Sequence, residues 1–185
     1  MVKPRTPTPT VTFVDRYCQH YPFLFPEVRS FEAFKQLHIG LISDIRRKTL
    51  PAIVRVLGLR NQQGLHRFPS HSPWQAEALR ERHLSLILRL LHGRLITLIV
   101  EESGDQKKGT STDYVKRQYL NNLGKIDNGI VAVTVYGLIE GITISLLFEV
   151  YKPQERLKAG DQYQTKTMLA AKMVRKLQQM GFNIG

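Results

Sequence analysis

Two adjacent carboxylates, Glu101 and Glu102, follow the apolar run LITLIV (residues 95–100) and precede Ser103 and Gly104. Acids at the C-terminal edge of a buried strand are where α/β folds build metal and substrate sites. The same pair also suits a solvated strand end, and the residues alone leave both readings open. Other reactive groups offer less. The segment GDQKKGTS (residues 104–111) comes near a phosphate-binding loop, but Thr110 stands where a lysine must follow the second glycine, and no helical pattern opens after it. The six histidines form no ligand pair on a face shared with a carboxylate. Cys18 is the single cysteine and has no positioned histidine. It therefore argues against a catalytic thiol, an intramolecular disulfide and a multi-thiolate metal site, and for a reducing cytoplasm.

Cations are the dominant chemistry. Lys and Arg number 27 against 15 Asp and Glu, a net +12 with a pI near 10.0, and such a balance points to polyanions, nucleic acid first. The surplus is uneven: residues 1–94 carry 15 against 6, residues 95–185 only 12 against 9. Arg46, Arg47 and Lys48 are candidates for DNA contact, although a helix C-terminus would favour the same cations. Arg55, Arg60 and Arg67 sit in a helix–glycine–helix pattern shaped like a helix-turn-helix, which any helical hairpin also resembles. Lys107, Lys108, Lys116 and Arg117 follow the acidic pair.

The elements that must position these groups divide near residue 94. Residues 1–10 have no apolar period and read as a disordered tail. Helical spacing then predicts a helix over 13–20 and another from Ser30, as N-cap, to about Ile45 with the basic triplet at its end. Two short helices flank Gly58. Ser72, Pro73 and Gln75 spell a capping box that opens a helix to His92, with Trp74 as a core anchor. After it, residues 95–100 read as a strand buried on both faces. Residues 130–136 and 142–150 form an antiparallel hairpin around a loop at 137–141, and a helix over 165–180 ends at Gly181. Residues 130–150 are apolar enough to suggest a membrane span, but Glu140 at the turn and the period-two alternation reject it.

Three segments carry a resemblance: EESGDQKKG, then TDYVKRQYLNNLGKIDNG, then LLFEVYKP at the end of the hairpin. Together they resemble transposases of bacterial insertion sequences in the DDE superfamily, and FVDRYCQHYPFLFPEVRSFEAF and HSPWQAEALRERHL are similar to that family's N-terminal helical region. The resemblance implies an α+β chain: a helical DNA-binding region over 11–94, then a partial RNase H-like domain over 95–185, of three antiparallel strands and a helix. It implies DNA as partner, at element ends and target, with self-association possible and no membrane. It also implies cleavage and strand transfer by Mg²⁺ or Mn²⁺ held on Asp, Asp and Glu. The first of those acids matches Glu101, the one catalytic and metal-ligand candidate, where the extra methylene displaces the carboxylate by about 1.5 Å. The other two belong after a fourth strand that starts past Gly185. The sequence thus reads as the N-terminal portion of a transposase, truncated before its second acid. A non-catalytic DNA-binding fragment and a decayed gene product are the alternatives, and whether the chain is itself an enzyme stays open.

Overall fold

The computed structural model describes residues 6–60 and 63–185. Contacts divide the chain into two compact units, residues 1–83 and 84–185. The division falls inside a helix, not at 94/95 where the texture of the sequence changes.

The first unit contains α1 (Thr12–Cys18), α2 (Val28–Ile42), α3 (Leu50–Val56), α4 (Gln63–His71) and the start of α5 (Ala76–Leu91). Its core is aromatic. Ring contacts run from Tyr21 to Phe34 (5.4 Å), Phe34 to Phe25 (4.9 Å), Phe25 to Phe68 (6.0 Å) and Phe68 to Trp74 (5.4 Å, stacked), the offset and tilted geometries that ring quadrupoles favour. Gly40 lets α2 lie close on α3, because a Cβ there would meet the Ile53 side chain at 2.2 Å. Lys35 is buried and donates to Asp15 Oδ1 (2.7 Å) and the Thr8 carbonyl (2.6 Å), while Thr10 N–H donates to Asp15 Oδ2 (2.6 Å). Of the expected disordered tail, residues 1–5 lie outside the described residues, and Thr8 and Thr10 are instead fastened through these bonds.

Three local expectations are corrected. Helix α2 starts at Val28, with Glu27 at the N-cap and Ser30 buried in its first turn. It ends at Ile42, where the Ser43 N–H (2.9 Å) and hydroxyl (2.6 Å) both donate to the Ile39 carbonyl. Arg46, Arg47 and Lys48 therefore lie in the connection to α3, not in a helical last turn. The capping box at Ser72 does not form. Trp74 N–H closes a turn on the Ser72 carbonyl (2.8 Å), its indole N–H donates to the Phe68 carbonyl (2.9 Å), and α5 begins only at Ala76. Docking a large ring with its donor satisfied outweighs one extra helical turn.

The second unit is a sheet with helices. Its strands are β1 (Thr97–Gln106), β2 (Lys116–Leu120), β3 (Lys125–Ile139) and β4 (Ile142–Val150), followed by α6 (Lys166–Gln179). Strand β3 is central: it pairs antiparallel with β1 from Gly129 to Leu138, with β4 from Ala132 to Ile139 and with β2 from Lys125 to Gly129. Residues of β3 with two partners put β4 and β2 across from β1. The β3–β4 turn is Glu140–Gly141, both at positive φ (50° and 78°), so Gly137 extends the strand instead of opening a loop. Val133 and Val135 of β3 share a core with Leu84, Ile87 and Leu91 of α5 and Leu169, Met173 and Leu177 of α6. Thr165 caps α6 by accepting from Met168 N–H (3.2 Å), and Gly181 (φ 92°) ends it.

The architecture is α+β, as expected, with four strands where three were anticipated. The added strand β2 has a polar sequence, KRQYL, without a clear apolar alternation. Strand β1 runs on through the acids to Gln106, because the length of β3 offers every residue a ladder partner. Residues 95–100 are not buried on both faces: Ile96 is, but Leu95, Ile99 and Val100 are exposed. Just before β1, Ile96 makes one isolated parallel bridge to Ile184, with Ile96 N–H donating to the Asn183 carbonyl (2.9 Å) and Gly185 N–H to the Ile96 carbonyl (3.1 Å). Among the described residues, no helix is long and apolar enough to cross a membrane.

Candidate nucleic-acid interface

Glu101 and Glu102 are strand neighbours, so their side chains leave β1 on opposite faces. Glu102 pairs with Val133 in the ladder and therefore shares the helix-covered face, where Lys166 at the start of α6 holds it at 2.7 Å. Glu101 stands opposite Thr134, exposed, with no hydrogen bond or ion pair among the described residues. Asp105, also in β1 and not in a loop, is paired with Lys107 at 2.5 Å. Among the described residues no group of three His, Cys, Asp or Glu side chains could hold a metal ion. A two-metal centre needs ligands on both sides of the ion pair, so these carboxylates do not by themselves fit one.

The cations fall into distinct settings. Arg60 and Arg67 line one groove of 690 Å³ in the first unit, together with Arg29, His71 and one carboxylate, Glu27, none of which the sequence reading singled out. Arg46, Arg47, Lys48 and Arg55 are exposed but lie outside that groove, and Lys48 donates to the Ser43 carbonyl. In the second unit Lys107 and Lys116 are engaged, with Asp105 and Glu155 respectively. Lys108 and Arg117 are exposed, with no acidic partner among the described residues. The near-match to a phosphate loop ends in β2, not in a helix, and so lacks the N-terminal dipole such a loop uses.

Buried reactive groups belong to packing. Cys18 is enclosed, and burial pushes its thiol up to about 11, the opposite of what a nucleophile needs. His38 is shifted down by burial and keeps a ring nitrogen on the Phe34 carbonyl (2.9 Å). Arg29 was detectable only as one more cation, since nothing in the sequence placed it across from Arg60 and Arg67.

Comparison with known proteins bears on this arrangement. Residues 24–183 match the family model described as DDE superfamily endonuclease. The chain is 65% identical over 182 residues to a protein of Microchaete diplosiphon named "Probable transposase for insertion sequence element IS701". That alignment takes in 98% of this chain and 48% of the relative, so the chain spans about half the length of the curated relative it matches. Endonucleases of this superfamily are generally divalent-metal dependent. The match runs from the aromatic core of the first unit through the carboxylate strand to the last helix, and the chain belongs to the DDE superfamily endonucleases.

Proposed function

We propose that these 185 residues serve DNA transposition as the DNA-holding portion of a transposase. Contact with element ends and target would run chiefly through the groove cations Arg29, Arg60 and Arg67, with further phosphate contacts from Arg46, Arg47, Lys48 and Arg55 and from the 107–117 segment. Glu101 is the proposed first metal-ligand position, because it is the carboxylate of β1 that no cation occupies, and the other ligands for Mg²⁺ or Mn²⁺ come from outside these residues. The RNase H-like reading of the sheet, with β1 at its functional centre, goes with this role, as does a cytoplasmic location. Self-association through the open edge of β1 is part of the same proposal, since a largely unpaired strand edge is a template for another chain.

The observation that carries the reading is the groove: three arginines line it against one carboxylate, Glu27, and none of the three is ion-paired among the described residues. Phosphate neutralisation releases counterions, and log K falls with log salt by about 0.9 per contact on duplex DNA. The test is a salt titration of duplex binding by the chain and by R29A/R60A/R67A. The triple variant should lose about 2.7 from that slope, at about 0.9 per arginine. An unchanged slope sinks the groove as the interface. Incubating the same chain with Mg²⁺ or Mn²⁺ and a labelled element end should give no cleavage above background, with or without Glu101→Asp. Cleavage that vanishes in Glu101→Ala would show these residues to be a complete enzyme and retire the alternative of a non-catalytic fragment.

A further inference from the structure

The connection between β1 and β2 leaves the sheet at Gln106 and returns at Lys116, both in register with Gly129. It carries the two exposed cations of this region that lack an acidic partner, Lys108 and, one residue into β2, Arg117. Nothing in its own sequence, KKGTSTDYV, would make it hold one shape: it is short of apolar residues, and only Val115 is buried. Its order comes from a second segment some 40 residues on, between β4 and α6. Arg156 donates to the Thr110 carbonyl (2.6 Å), Lys158 pairs with Asp113 (2.6 Å), and Glu155 pairs with Lys116.

These outer contacts, two ion pairs and one hydrogen bond to backbone, are exposed and of the kind worth little individually. The inner joint differs. The Asp161 carboxylate is partly covered, with 11% of the side chain accessible. It accepts from Tyr114 Oη (3.0 Å) and Lys158 N–H (2.9 Å) on Oδ2 and from Lys152 Nζ (2.5 Å) on Oδ1. The Lys152 ammonium also lies 5.2 Å from the centre of the Tyr114 ring. Tyr114 has a left-handed backbone (φ 60°), a conformation that costs a bulky residue and persists only where its surroundings impose it. One carboxylate thus fixes the residue at which the connection bends back toward β2.

We propose that Asp161 is a positioning residue for DNA binding: by holding Tyr114 and Lys152 together it sets the bend that presents Lys108 and Arg117 to the phosphate backbone. This rests on the reading of the chain as a DNA binder and adds to it a residue that carries the wrong charge to touch DNA. Its removal should nevertheless weaken the interaction. A purely structural role would lower the melting temperature and leave the salt dependence of binding alone, so the slope of log K against log salt is the readout.

The experiment measures duplex binding by fluorescence anisotropy between about 50 and 200 mM salt, where such slopes are resolved, using the full chain and its variants. K108A/R117A should lower the slope by about 1.8, two contacts at about 0.9 each. D161N should lower it by a similar amount with both cations still present, and adding D161N to K108A/R117A should lower it no further, as expected for groups acting through one another. A wild-type slope in D161N beside a reduced slope in K108A/R117A overturns the positioning role. A wild-type slope in K108A/R117A overturns DNA contact by this face, and the role of Asp161 with it. If D161N fails to fold, Y114F removes only the hydroxyl donor: a slope between wild type and K108A/R117A supports the proposal, and a wild-type slope overturns it.

Discussion

In residues 84–185 seven of the nine carboxylates sit in ion pairs with lysine or arginine, nearly all at the surface. In residues 1–83 the pattern inverts. Two ion pairs are seen there, the surface pair Arg80–Glu77 and Lys35–Asp15 with its lysine buried, while Arg29, Arg46, Arg47, Arg55, Arg60 and Arg67 stand without acidic partners among the described residues. The aromatic core explains how the first unit tolerates this: packed rings and the buried Lys35 with its partner Asp15 hold its helices, and most of its surface arginines take no part. The second unit joins long connections to a sheet, and its cations are largely used in doing so. Excess charge alone would rank both as DNA-binding surfaces, yet only the first keeps most of its cations uncommitted.

The strongest way to break that comparison is to remove the carboxylate that pairs with the buried lysine. Asp15→Asn leaves the Lys35 ammonium, 4% exposed, without a counterion, a loss of about 3 kcal/mol in stability for a broken buried pair. Lys35→Met should cost less, because the apolar replacement leaves no uncompensated cation in the core. By contrast Glu155→Gln, which severs the surface pair with Lys116, should cost far less, because solvent screens both of its partners. Denaturant midpoints of the three variants decide the matter, and equal losses for Asp15→Asn and Glu155→Gln would erase the distinction between the units.

A second, smaller effect tests whether packing and not charge holds the first unit. Gly40→Ala places a methyl against Ile53, which is 1% exposed and boxed in on α3. Overpacking of this kind costs about 1–3 kcal/mol, although alanine itself suits the helix better by about 1 kcal/mol. Thermal melting should show a net loss. A gain would mean that α2 and α3 can separate freely and that their contact contributes little.

How much of this was legible beforehand follows from the range of the interactions. Period-two and helical patterns placed β4, α6 and the core residues Val133, Val135, Leu169, Met173 and Leu177, because each depends on neighbours within a few positions. Strand β2 was missed because its ladder, not its own composition, makes KRQYL a strand. The same cause hid the extension of β1, so that Glu101 and Glu102 fall within a strand and take opposite faces. The candidate cations were visible as residue types, but the shared groove of Arg29 with Arg60 and Arg67, and the joining of Asp161 to Tyr114, depend on separations of 31 to 47 residues. No local pattern encodes those.

The smallest expected effect is common to both units and depends on acid. Lys35 and the Thr10 donors hold the Asp15 carboxyl down to about 2, and Lys152 with the Lys158 N–H does the same for Asp161, against an ordinary aspartate near 3.8. A folded-state value below the unfolded one means that the unfolded chain binds the proton first. The stability each group contributes is complete above about pH 4 and is lost as pH falls through about 2. Melting temperature followed from pH 5 to pH 2 should therefore drop across that window. Asp15→Asn and Asp161→Asn should each start lower and fall less steeply, since each has already lost one linked proton. Asp15→Asn should flatten the curve more, because its cationic partner Lys35 is buried while Lys152 is 39% exposed and its field is better screened. A curve for Asp15→Asn as steep as that of the unaltered chain would mean that the carboxylate is free of Lys35 in solution, and the contrast between a buried lysine in one unit and exposed paired cations in the other would lose its basis.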